Sequence, residues 1–442
     1  MKDPTPAELA HIPAPPQTLF FGNTLDSLKD LAAFTRSNAA QFGEVYRVRF
    51  MGRWRVSLTS AEAAQYVLTD PDKLFSNTLG WDLLTRTFSG GLMLRDFDDH
   101  RAHRRIMQVA FRKPALDSYL DLMAPVIGPL IDEWPVDTPM TFYPAIKDAT
   151  LRLGANVFAG LPLDDPRAEE LNRAFMALVA SSMAILRVPL PGSTYARGLK
   201  ARADMTRLLT QLMTERRGGD GTDFFSEMCR AEDEEGRAWT TDEIVAHFTF
   251  LLVAAHDTTA TALTSMIWTL AEHPDWQDRV AEEAAALGDG PFTPDMLERM
   301  PLTERVMKEG LRLIPPAPVI SRRSLRAFEW AGIPIPAGTM INVQVGVIHT
   351  SERHYTDPDR FDPDRYAPDR AEDRSHRFAW TPFGGGAHKC IGMHFATMQM
   401  KMLVRAILSR YRIAPAGDAP VHWQRLPIPR PKGGLPIILS RR

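Results

Sequence analysis

The chain has 442 residues, 44% of them hydrophobic, and a formal net charge of −2. That near-neutral balance gives no basic field for nucleic acid, and two cysteines cannot form a disulfide framework and point to a reducing compartment. The amino terminus carries no basic n-region and no long apolar run, so no transmembrane anchor and a cytoplasmic location are expected. No repeat or low-complexity linker is visible. The 35 prolines cluster at 12–16, 189–191, 315–318 and 427–436, and they read as irregular segments inside one body, a single domain over 1–442.

In chain order, a proline-rich start leads to a helix from about Leu25 to Phe42. Residues 44–58 alternate and read as a hairpin with its turn at Met51-Gly52. Ala61 to Leu68 reads as a short helix. Residues 77–94 are loop-like, with Trp81, Phe88, Leu92 and Met93 among polar neighbours. They are either packing anchors of a surface loop or a lid over an apolar pocket. Then His100 and Arg104, four apart, fall on one helix face, with Arg101 and Arg105 beside them. Taken alone this is a solvated basic face. Residues 117–230 are mostly helical, with breaks at Pro162, Pro166 and 188–192. Phe175, Met176, Met183 and Leu186 precede the last break as core or pocket lining, and Cys229 reads as a helix-packing residue.

The longest helix follows. Thr240 and Glu243 form a capping box, and Pro274 stops the helix near His273. At 1.5 Å per residue it spans roughly 48 Å. It is apolar nearly all round and so must be buried. Yet its middle reads Ala254-Ala255-His256-Asp257-Thr258-Thr259, and a charge in a buried helix needs a reason. Further on, Glu309 and Arg312 form an i, i+3 pair. Residues 321–345 alternate like strands around a turn at Pro336-Ala337-Gly338. Helix 393–410 and a terminal hairpin over 421–437 complete the chain.

One stretch between these elements concentrates chemistry: Thr381-Pro-Phe-Gly-Gly-Gly-Ala-His-Lys-Cys390-Ile-Gly392. Glycines 384–386 permit a tight turn and close approach to a flat object. Cys390 would sit beside a helix start, where free N–H groups and the helix dipole favour a thiolate. A thiolate supplies one metal ligand, so the metal must bring most of its own coordination, as haem iron does. Other readings are a buried structural cysteine, a zinc site from His388, Cys390 and His394 without a fourth ligand, and a Cys/His nucleophile pair.

The string Phe383-x-x-Gly386-x-His388-x-Cys390-x-Gly392 resembles the haem-binding loop of the cytochromes P450, and five positions fit at fixed spacing. Three further stretches are similar to that family in the same order. His100-x-x-x-Arg104 looks like its propionate-binding helix. Ala254 to Thr259 looks like its oxygen-side motif, with Ala255 where Gly is common. Glu309-x-x-Arg312 followed by Arg365 looks like its Glu/Arg/Arg network.

The resemblance implies a mainly α fold with a small β region (α+β), one haem domain with one long central helix. It implies non-covalent haem b, iron protoporphyrin IX, with Cys390 as the axial iron ligand and with His100, Arg104, Arg322 and His388 around the cofactor. Arg323 is a less favoured substitute for Arg322. Asp257 and Thr258 would deliver protons, while Glu309, Arg312 and Arg365 would be structural. Candidate pocket residues are Trp81, Phe88, Met183, Leu251, Ala254, Ala255, Pro318, Val319 and Ile428.

The implied reaction is insertion of one oxygen atom from O2 into a lipophilic substrate, by hydroxylation or epoxidation. No stretch is left for a flavin domain, so a separate ferredoxin or flavodoxin with an NAD(P)H-dependent reductase is expected. Arg101, Arg105, Arg112, Lys113, Lys389 and Lys401 would form its docking face. A peroxide-driven peroxygenase and a non-enzymatic haem sensor or carrier are the alternatives. No charged substrate anchor stands out.

Overall fold

The computed structural model describes residues 1–81, 88, 90–182, 184, 188–232, 236–288 and 290–442. The expected first helix is two: α1, Thr24–Lys29, and α2, Leu31–Phe42. Asp30 between them takes an extended backbone, and its carboxylate accepts from the Ala33 N–H at 3.0 Å. An N-cap inside a continuous hydrophobic period is enough to break the helix. The hairpin forms as β1, Val45–Phe50, and β2, Arg53–Leu58. Met51 (φ 48°) and Gly52 (φ 78°) make its left-handed turn. Helix α3, Ala61–Thr69, is capped by Ser60.

These strands join β3, Phe75–Ser76, and the later β5, Ile320–Ser324, and β8, Met340–Val343, in one sheet ordered β1-β2-β8-β5-β3. Between β5 and β8 lies the small β6–β7 hairpin, Phe328–Trp330 and Ile333–Ile335. A three-stranded sheet pairs β4, Pro139–Thr141, and β9, Tyr411–Pro415, on either side of β12, Pro436–Arg441. The terminal hairpin is shorter than expected: β10, Trp423–Gln424, and β11, Arg430–Pro431.

Helices fill the rest: α4, Phe97–Met107; α5, Lys113–Asp132; α6, Phe142–Ala159; α7, Pro166–Ser182; α8, Thr194–Arg216; and α9, Phe224–Arg230. Cys229 on α9 is buried, and burial pushes its thiol up to about 11, as suits a packing residue. The central α10 runs Thr241–Glu272 with the capping box closed in both directions. It is long and apolar enough by composition to cross a membrane, but 72% of its most apolar window is buried in the protein. It is therefore a core helix. Its buried hydroxyls are answered internally: Thr264 donates to the Ala260 carbonyl and Thr269 to that of Ser265.

Helix α11, Pro274–Ala285, turns back at Pro274, and α12, Pro301–Leu313, packs against α10. Helix α13, Met393–Leu408, follows the Cys390 loop. Glu309, Arg312 and Arg365 are all fully buried. Arg312 grips Glu309 with two bonds of 2.7 and 2.8 Å, and Arg365 Nε adds a third at 3.1 Å. Tyr366 and the Asp362 N–H occupy the remaining carboxylate lone pairs. The other guanidinium donors end on the carbonyls of His349, Pro358 and Thr356 and on Glu372. Every charge here has its partner within the protein.

Candidate active site

The Cys390 loop is held from both sides. The Cys390 N–H donates to the Phe383 carbonyl at 2.9 Å, and the Thr381 N–H donates to His349 Nε2 at 2.9 Å. Gly386 has φ 62°, and a Cβ there would lie 1.8 Å from the Leu68 carbonyl oxygen at the end of α3. A Cβ on Gly385 would meet the Phe378 ring at 2.3 Å. Both glycines let the loop pack closely on the neighbouring protein, as the tight turn expected from the sequence requires.

Cys390 is exposed, yet protein surrounds it closely enough that burial pushes its thiol above the ordinary value. A Gly392 N–H and the charges of Arg104 and Lys389 pull the other way. The thiolate expected from the helix start is thus not secured by the chain alone. In a dry site, a bound cation is what completes the stabilisation of a sulfur anion. Helix α13 begins at Met393, as expected, and ends at Leu408, two residues before the expected Arg410.

Four of the expected residues converge near this sulfur. The His100 and His388 rings lie 3.8 Å apart at 32°. Burial holds His100 down at about 4 and His388 at about 2, so both are neutral at pH 7. Arg104, one turn after His100 on α4, is half-buried, feels the Cys390 charge, and has no hydrogen bond or carboxylate partner among the described residues. Arg322 on β5 is buried, and its side chain makes one hydrogen bond, to the Ser321 carbonyl at 2.9 Å.

Burial drags Arg322 down to about 10, against the pull of Asp96 and Asp70. Those acids are engaged elsewhere. Asp96 accepts from Ser76 Oγ and the Asn77 N–H, and Asp70 accepts from the Leu74 and Phe75 N–H groups. Arg323, by contrast, is spent on Asp3 and the Gly338 carbonyl, so it does not stand in for Arg322. Two desolvated guanidinium groups without counter-ions and two neutral imidazoles fit a ligand that brings its own carboxylates.

Sequence reasoning missed Asn77. Its Nδ2 lies 3.3 Å from His388 Nδ1, and its buried Oδ1 has no partner. Nothing in the Ser76-Asn77-Thr78 cap pattern foretells this.

On α10, Ala254 is exposed, and Val253, Ala255, Asp257 and Thr258 around it are half-buried. Thr258 Oγ donates to the Ala254 carbonyl at 2.6 Å. Asp257, about 100° further round the helix, turns instead to α6. Lys147 Nζ is 2.5 Å from its Oδ1, and His256 Nδ1 is 3.5 Å away. His256 Nε2 lies 3.1 Å from the Lys147 carbonyl. Lys147 was not legible as a site residue, because only the packing of α6 on α10 brings it there.

Among the pocket candidates, Phe88 is buried edge-on against Phe250, with Leu251 buried next to it. Trp81, Ala255, Val319 and Ile428 are half-buried, and Pro318 is buried with its carbonyl bound by the Gly346 N–H. Met183 lies outside the described residues. Of the expected docking cations, Arg101, Arg105, Arg112, Lys113 and Lys389 are exposed. Lys401 is not: it is buried, bound to Glu304 at 2.8 Å and to the Leu297 carbonyl. It lies on the inward face of α13, so its charge is structural.

Comparison with known proteins agrees with this geometry. The family model described as Cytochrome P450 matches residues 12–433. Cytochrome P450 136 of Mycobacterium tuberculosis is 37% identical over 393 residues, covering 88% of this chain and 80% of that protein. Cytochrome P450 120 of Synechocystis sp. is 28% identical over 443 residues, 98% of each chain. A solved structure, retinoic acid bound cyanobacterial CYP120A1, superposes with a TM-score of 0.86 at 28% identity, covering 98% of this chain and 100% of that one. With matching motifs, fold and relatives, the chain belongs to the cytochrome P450 family and is an oxidoreductase of the haem monooxygenase type.

Proposed function

We propose that the chain is one haem domain, residues 1–442, that hydroxylates or epoxidises a lipophilic small molecule with O2. The observation that carries this reading is the pair of unneutralised, desolvated arginines, Arg104 beside the Cys390 sulfur and Arg322 beside His100 and His388. When bound, haem b supplies dioxygen activation and oxygen insertion, with thiolate donation favouring O–O cleavage. Cys390 would ligate the iron. Arg104 and Arg322, with His100 and His388, would hold the two propionates. Non-covalent binding follows from the lack of a C-x-x-C-H sequence.

The remaining roles belong to the chain's own groups. Thr258 presents a hydroxyl beside the exposed Ala254, where it can donate to a ligand in place of the Ala254 carbonyl. Asp257, ion-paired with Lys147, relays protons toward the site. Phe88, Leu251, Ala254 and Ala255 offer an apolar lining, consistent with a lipophile. The retinoic acid held by the solved relative is itself lipophilic. Electrons come from a ferredoxin or flavodoxin and an NAD(P)H-dependent reductase, for which the exposed Arg101, Arg105, Arg112, Lys113 and Lys389 form a cationic face. The chain acts as a soluble cytoplasmic protein; solubility is supported by the burial of the one helix, among the described residues, that is long and apolar enough to span a membrane.

The test is turnover under 18O2 with each redox system. One labelled oxygen atom per product is expected. Thr258→Ala should lower product per NAD(P)H about tenfold or more without weakening substrate binding. Unlabelled product, or a Thr258→Ala enzyme as productive as the parent, contradicts the reading.

A further inference from the structure

A buried imidazole stands beside the proton path of α10. His256 precedes Asp257, and its ring is held on two sides. Helix α7 meets it with the Phe175 ring, 5.6 Å between centroids and 85° between planes. Helix α6 meets it with the Lys147 carbonyl, 3.1 Å from Nε2. A carbonyl oxygen only accepts, so Nε2 carries the ring proton, and the neutral ring leaves Nδ1 as a bare acceptor.

That bare nitrogen faces the Asp257 carboxylate, with Nδ1 3.5 Å from Oδ1. Both atoms are acceptors, and the separation is wider than a hydrogen bond. One proton between them turns the contact into a charge-assisted bond. Lys147 Nζ meets the same Oδ1 at 2.5 Å and keeps 23% of its side chain exposed, so solvent reaches the cluster from the α6 side. The charges acting on His256 are Asp257 on its own helix and Lys147 and Asp148 on α6. Tyr143, also on α6, lies 5.6 Å from Lys147 Nζ. Burial holds the imidazole below its ordinary value, while Asp257 pulls it up and Lys147 pushes it down.

Insertion of one atom of O2 releases the other as water, so each turnover consumes two electrons and two protons. The redox partner supplies the electrons. A carboxylate delivers one proton and must then be reloaded. We propose that His256 is a positioning residue that acts through Asp257, reloading its carboxylate with a proton within each turnover. The transfer moves one proton and no electrons. Solvent protonates Nδ1, that N–H breaks as an O–H forms at Asp257 Oδ1, and the O–H breaks when the proton leaves on the Thr258 side. Imidazole and carboxylate are both restored. The proposal rests on the monooxygenase reading above. A His256 that only spaces α10 from α6 and α7 is the competing account.

The experiment uses the full-length haem-loaded protein, labelled with nitrogen-15 histidine, in the diamagnetic reduced carbon-monoxide form. Its absorbance is taken first. A missing thiolate band fails the monooxygenase reading, separately from the role of His256. The His256 signals are those lost in His256→Gln. A neutral ring with its proton on Nε2 is expected at pH 7.5, and a neutral ring with its proton on Nδ1 overturns the proposal. As the pH falls the ring should take up a proton, and Asp257→Asn should move that uptake to lower pH. An uptake that Asp257→Asn leaves in place overturns the pairing.

Turnover is followed with retinoic acid as the probe, as product formed per NAD(P)H. Glutamine can still donate to the Lys147 carbonyl but does not ionise, so His256→Gln separates proton transfer from packing. His256→Gln and His256→Phe should each lower product per NAD(P)H about tenfold, with the spin-state change on retinoic acid binding unaltered. A His256→Gln enzyme as productive as the parent overturns the proposal, whatever His256→Phe does. Product and binding lost together assign the residue to packing. Should the parent not turn over retinoic acid, or the variants not fold, the nitrogen spectra decide, with His256 identified as the ring whose signals Asp257→Asn moves.

Discussion

Arg312 and Arg365 are buried with every donor answered, whereas Arg104 and Arg322 are desolvated with almost none. Both pairs are the same chemical group in the same chain. In the first, Glu309 and a shell of backbone carbonyls neutralise the charge, and the cluster locks α12 to residues 356–372. In the second, the nearby acids Asp96 and Asp70 are turned away to cap backbone N–H groups. A folded chain does not leave cations desolvated and unpaired without cost. One cluster is the frame, and the other is the receptor for carboxylates that we propose. The two should fail differently.

The largest failure belongs to the frame. Glu309→Gln removes the shared anion and strands two buried guanidinium groups. We expect a loss of about 3–5 kcal/mol in stability, seen as a lowered urea midpoint with or without haem. A midpoint within experimental error of the parent would place the network outside the stability core. The receptor should show the opposite pattern. Arg322→Gln is expected to weaken haem retention by about 1.5–3 kcal/mol, the worth of a charge-assisted bond, read by haem transfer to an acceptor protein. The haem-free protein should keep its urea midpoint or gain slightly, since a desolvated charge is gone. Equal losses with and without haem would erase the distinction.

A smaller effect is pH-dependent and belongs to the frame. His349 accepts from the Thr381 N–H while its own carbonyl accepts from Arg312. Burial, with Arg312 adding to it, holds the folded imidazole down at about 3, against an ordinary 6.5. The unfolded chain therefore takes up a proton near pH 6.5 that the folded chain refuses. The stabilisation is complete above that pH and falls as pH drops from 6.5 toward 3. The expected slope is on the order of 1 kcal/mol per pH unit, measured by urea unfolding between pH 7.5 and 4.5. It should shrink in His349→Gln. A slope unchanged by that substitution would move the titration to other groups.

Local signals in the sequence carried much of this. The capping box of α10, the Met51-Gly52 turn and the i, i+3 pair of Glu309 and Arg312 are written within a few residues, and the structure realises them. The break at Asp30 was hidden because the hydrophobic period runs through it while a single cap decides it. Lys401 read as surface because it is charged, but its position on the inward face of α13 pairs it with Glu304. Asn77 and Lys147 meet the site only through segments far away in sequence, so no spacing could announce them. The contacts of Gly385 with Phe378 and of Gly386 with the Leu68 carbonyl were not legible, since those groups lie in other elements.

The central claim is that a sulfur anion at position 390 binds the metal of a porphyrin held by this receptor. It is tested most directly by the absorbance of the reduced, carbon-monoxide-treated protein beside Cys390→Ser. The account predicts the strongly red-shifted band of a thiolate-ligated haem in the parent and its loss in Cys390→Ser. A parent without that band, or a Cys390→Ser protein that keeps it, would contradict the account.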